Sequence, residues 1–342
     1  FYSQNNIKMI QTIYKPFLTG IFLCLFIIIT CSWEFRTFFF IDDAQNQNLP
    51  FFYEMGKLWL AGEVPVLTTN TFWGGNILSD MVLSPFCPQV VIASIVAAST
   101  KSIAIPVLAF TFQNLLIAYL GGYLLSAQST KSIPYRHLGG FSATSNPIFL
   151  YIYSASWWNY AAGYAWLIMS IPLALIALKS PRLIHLVAAS ASSSLLFTAA
   201  APHFHLVYLI FLGLALTTKV ITSPHKRIVI ITIGLSSICV GALPVMGDYI
   251  MNMKLTDRGA AYSNIGNYMV PSWGQVINTF NPFYATYMNW FGKYDYMPLQ
   301  IGYIGFFGGI LAVTGFGKRV HVNNQSIISL MLIVCLVLSF SA

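Results

Sequence analysis

The 342-residue chain is 57% hydrophobic and 8% charged, with a mean hydropathy of +0.70. Soluble globular domains carry about a quarter charged residues, so this composition excludes an ordinary soluble enzyme and specifies an integral membrane protein. The net charge of +8 comes from basic residues gathered between apolar runs, and no basic stripe interleaved with aromatics suggests a nucleic-acid partner.

The chain opens at Phe1 and stops inside the apolar run SIISLMLIVCLVLSFSA, 326–342, which reads as a C-terminally incomplete piece of a longer protein. Lys8 and Lys15 precede the first apolar run, 16–33, and no small-residue cleavage site follows, so it is expected to be a retained span rather than a signal peptide. Further candidates lie at 103–127, 138–156, 158–178, 183–201, 204–218, 228–246, 299–317 and 326–342. A span needs roughly 20 apolar residues, so the expected fold is all-α, a single polytopic transmembrane helical bundle of about nine spans over 1–342. The five cysteines are scattered without a CxxC and read as packing residues.

Basic residues mark cytoplasmic loops. Lys8 with Lys15, Lys131 with Arg136, Lys179 with Arg182, Lys219 with Lys226 and Arg227, and Lys318 with Arg319 fall in alternate connections. They share one side only if the proline-led stretch 85–100 does not cross the membrane and forms a re-entrant or juxtamembrane helix. A complete crossing there would put Lys131 and Arg136 outside.

Every acid lies in one of two windows: Glu34, Asp42, Asp43, Glu54, Glu63 and Asp80, then Asp248, Asp257 and Asp295. In this topology both are non-cytoplasmic: a first external loop, 34–102, with juxtamembrane helices, and a second, 247–298. Most such acids need no explanation beyond water. Asp42 and Asp43 differ, because phenylalanines flank them in FFFIDDAQNQNLPFF, 38–52, and a carboxylate at the hydrocarbon boundary needs a wet cavity or a partner. Adjacent carboxylates also repel, which raises one pKa and makes that group a better proton acceptor. The flanking phenylalanines read as bilayer-facing shoulders. Trp73, Trp157, Trp158, Trp273 and Trp290 read first as interface anchors, with sugar stacking as the alternative.

The order Asp43-x-x-x-Gln47-x-x-Pro50-Phe51, Gly62-Glu63, Trp73-Gly74-Gly75 and LSPF (83–86) resembles the first external loop of YfhO-like bacterial membrane proteins, a family of the GT-C-fold glycosyltransferase class. Residues 145–180, AAAPHFHLVYLIFL (199–212) and LPVMGDYIMNMKLTDRG (243–259) follow in the same order. The resemblance covers most of 16–317. It departs at His203 and His205, where the family commonly has Asn and Tyr, and in length, since family members are commonly longer.

The resemblance implies a GT-C-like fold in the bacterial cytoplasmic membrane. A sugar would pass from a polyprenyl-phosphate donor to a glycan, lipid or protein acceptor of the cell envelope, on the outer face. Asp43 would be the catalytic base. Asp42 would tune it, bind the acceptor or share a divalent cation such as Mg or Mn; no residue is assigned as a metal ligand. Gln47 would bind sugar or hold the base, or simply cap a turn. Arg258 can grip two phosphate oxygens, and Lys254 lies one helical turn before it; the alternative is a solvated basic pair. His203 and His205, in a short external loop, would face one cavity as phosphate donors or metal ligands, although HxH lacks a third ligand. The rival readings are a transporter or flippase of lipid-linked saccharides and a non-catalytic membrane scaffold subunit.

Overall fold

A computed structural model of the protein describes residues 4–34, 39, 48–68, 75–76, 84–100, 102–145, 149, 153, 158–180, 182–199 and 202–222. In chain order the helices are α1 (Gln4–Glu34), α2 (Leu49–Leu60), α3 (Pro88–Thr100), α4 (Ala104–Ala127), α5 (Ile133–Thr144), α6 (Trp158–Lys179), α7 (Leu183–Thr198) and α8 (Pro202–Thr222). One antiparallel ladder pairs Leu67 with Asn76 and Thr68 with Gly75, between α2 and α3.

Three segments are long and apolar enough to cross a bilayer: Lys15–Trp33, Ala104–Ala127 and Tyr160–Lys179. They coincide with three expected spans. α3 has 13 residues, about 20 Å at 1.5 Å per residue, and falls short of a hydrocarbon core roughly 30 Å thick. Its length suits the juxtamembrane reading of 85–100. α5 starts five residues before the expected span at 138, and the candidates at 228–246, 299–317 and 326–342 lie outside the described residues.

α4 is the centre of the bundle, with α1, α3, α5 and α6 packed around it. Its sequence explains this. Val107, Phe110, Asn114, Leu115, Ala118, Tyr119 and Gly122 recur at steps of mostly three and four residues, and all are buried. In a bilayer the driving force between helices is close packing, and small residues supply it. A Cβ on Gly121 would sit 2.7 Å from the backbone of Ile168 in α6, and one on Gly122 would sit 2.5 Å from the Gly139 carbonyl in α5. Tyr119 joins α5 through a 2.5 Å hydrogen bond with His137 Nδ1, and Tyr164 of α6 donates to the Ala143 carbonyl.

The two helices of the first long loop form a hairpin. Gly56 makes the contact possible, since a Cβ there would meet the Ser94 carbonyl oxygen at 1.9 Å. α2 ends because Gly62 takes φ 76°, where its N–H bonds the Trp59 carbonyl and the Glu63 N–H bonds that of Leu58. On the open face of α2, Glu54 receives the Lys57 ammonium at 2.9 Å, which raises the Lys57 pKa, and Lys57 lies 4.3 Å over the Tyr53 ring.

Two expectations about aromatics are corrected here. Phe39, Phe51 and Phe52 are not bilayer-facing shoulders, because all three are buried against protein. Phe52 lies against Phe110 of α4 and Trp158 of α6, at ring separations of 5.7 and 5.3 Å. Trp158 is likewise no interface anchor: it stacks on Phe110 at 5.4 Å and is 1% exposed. Cys24 and Cys87 are buried packing residues, as the scattered spacing suggested.

Candidate functional site

The hairpin is fastened to the bundle by amides. Gln89, in the first turn of α3, is 1% exposed and uses its side chain on three partners at once. Its Oε1 accepts the Trp166 indole N–H of α6 at 3.0 Å and the Cys87 thiol at 3.1 Å, while its Nε2 donates to Asn114 Oδ1 of α4 at 3.1 Å. Beside this network, Asn114 Nδ2, the Thr111 hydroxyl and the Tyr153 hydroxyl are buried without a hydrogen-bond partner among the described residues.

Tyr153 also contacts Phe39, three residues before the paired carboxylates in sequence. Phe39 packs edge-on against its ring at 5.5 Å, and Phe149 packs against the same ring at 5.2 Å. The polar cluster, the ring of Phe39 and the Phe52–Phe110–Trp158 stack therefore belong to one continuous core. Ser84, in the LSPF stretch, is buried with φ 47°, and its carbonyl accepts the Cys87 N–H just before α3.

Asp42, Asp43, Gln47, Lys254 and Arg258 lie outside the described residues. His203 and His205 do not occupy a loop, because α8 begins at Pro202. Two positions apart on a helix are separated by about 200° around its axis. His205 is 4% exposed, and its Nε2 lies 2.9 Å from the Leu196 carbonyl and 2.7 Å from that of Ala199. With the proton on Nε2, the ring closes the C-terminal end of α7: it supplies a donor to the Ala199 carbonyl and a second one to the Leu196 carbonyl, which already accepts the Ala199 N–H. The His205 Nδ1 is buried without a hydrogen-bond partner among the described residues. Ser193 and Tyr208 share a hydrogen bond deeper in the same helix pair. No three His, Cys, Asp or Glu come together as metal ligands among the described residues.

Sequence reasoning looked for acids in apolar segments and passed over amides. Gln113 and Asn114 stand in the middle of a 24-residue helix without a charge. A polar side chain in such a helix is expensive unless it faces the bundle interior, and that cost was the available signal.

No protein-family description, no curated protein and no solved structure matches the chain.

Proposed function

We propose that the protein is a membrane glycosyltransferase of the GT-C class, moving a sugar from a polyprenyl-phosphate donor to an acceptor on the outer face of a bacterial cytoplasmic membrane. One observation carries the reading: the first long loop is built into the bundle on both sides of its paired carboxylates. Phe39 is fixed on Tyr153, and Asn48 is buried at the start of α2. Three residues of chain separate Phe39 from Asp42, a reach of at most about 11 Å. A base needs such a fixed setting, because catalysis depends on holding it against the acceptor.

In the reaction Asp43 takes the proton from an acceptor hydroxyl, and that oxygen forms a bond to the anomeric carbon. The bond from carbon to phosphate oxygen breaks, and polyprenyl phosphate leaves with the electron pair. A phosphate leaves without protonation, so a second carboxylic acid is not required, unlike glycoside hydrolysis. Arg258 and Lys254 neutralise the leaving phosphate. Gln47 orients sugar or base, and Asp42 raises the basicity of its neighbour.

The test is transfer of labelled sugar from polyprenyl-phosphate hexose or pentose in proteoliposomes, with Asp43→Asn as the variant. General-base loss predicts a fall of roughly 10²-fold or more with unchanged unfolding temperature. Transfer by folded Asp43→Asn at the unaltered rate overturns the base, and no transfer by the unaltered protein overturns the enzyme.

A further inference from the structure

The hydrogen bonds of Gln89 differ in kind from the others near the first loop, because they reach across 25 and 77 residues of sequence. Elsewhere the α2–α3 hairpin is held by close packing, of the Gly56–Ser94 and Phe52–Phe110 kind, which carries no hydrogen bond between side chains. An amide that satisfies a thiol, an indole and a second amide admits one position only. Gln89 is sited at the α3 start, where Cys87 N–H bonds Ser84 and Val91 N–H bonds Cys87.

We propose that Gln89 is a positioning residue that locks the α2–α3 hairpin into the α4–α6 core, making these two helices a fixed part of the bundle. The lock does not depend on the transferase reading. Its opening has a built-in reporter, because Cys87 is 0% exposed and donates its thiol proton to Gln89. Burial also pushes the Cys87 thiol up to about 12, so little thiolate exists while the hairpin is seated. Cys24, also 0% exposed but on α1, reports opening of the bundle as a whole.

The full-length protein in membranes is treated with N-ethylmaleimide at neutral pH, and modification of each cysteine is followed by peptide mass spectrometry. Cys87 in the unaltered chain resists labelling. Gln89→Leu, similar in size but unable to make any of the three bonds, speeds labelling of Cys87 about tenfold or more, with Cys24 unchanged. Gln89→Glu restores protection, since a buried, protonated carboxyl offers an acceptor to Trp166 and a donor to Asn114. Thr111→Val, beside the lock but not in it, leaves Cys87 protected. The proposal is overturned if Cys87 labels freely in the unaltered chain. It is equally overturned if Gln89→Leu leaves the rate unchanged, if Gln89→Glu fails to protect, or if Cys24 is exposed in step with Cys87.

Discussion

The α2–α3 hairpin and the α7–α8 turn both occupy stretches that the sequence marks as external and polar, and they use their polar groups in opposite ways. In the turn the contacts stay within α7 and α8 and the residues between them. His205 closes carbonyls six and nine residues back, and the hydroxyls of Ser192 and Ser193 bond the Ala189 carbonyl one turn earlier. In the hairpin they join α3, α4 and α6 across 25 and 77 residues of sequence. Local polar contacts finish helices. Long-range ones fix elements relative to each other, which is what a site for chemistry requires.

The comparison can be broken from either side. The largest effect belongs to Trp158→Ala, which empties the stack holding α2 against α4 and α6; it costs roughly 3–5 kcal/mol, read as a lowered unfolding midpoint in detergent. Next is His205→Ala, which strands the Ala199 carbonyl and costs about 1–3 kcal/mol. His205→Gln supplies one N–H donor and recovers part of that loss. If His205→Ala were neutral in the same melt, the capping role would be wrong. Gly62→Ala forces a Cβ into left-handed backbone at the end of α2 and costs about 1 kcal/mol, measurable as a small midpoint shift. Smallest is Lys57→Met, because the Lys57 end of its pair with Glu54 is half exposed; no shift beyond error is expected, and a clear one would show that the open face of α2 is covered.

The sequence made the membrane class legible through composition, and three spans through uncharged runs of sufficient length. It also made α3 legible as a short helix, because two prolines and a polar end bound it. The seat of α2 was not legible. Phe51 and Phe52 next to a charged loop look alike whether they meet lipid or protein, and only the positions of Phe110 and Trp158 decide between the two. The histidines misled for a related reason: two histidines in a short Pro-led stretch suggest a polar loop, but proline in the first turn also starts a helix. Asn114 and Gln89 were visible as amides in apolar helices, yet their partnership spans 25 residues and has no periodicity to announce it.

The most direct measurement of the account sets the two regions against each other in one preparation, by following sugar transfer and unfolding temperature together for Asp43→Asn and His205→Gln. The account predicts that Asp43→Asn abolishes transfer with its unfolding temperature intact, while His205→Gln lowers the unfolding temperature and keeps transfer below it. The reverse pattern, with transfer lost in folded His205→Gln and retained in Asp43→Asn, would contradict it.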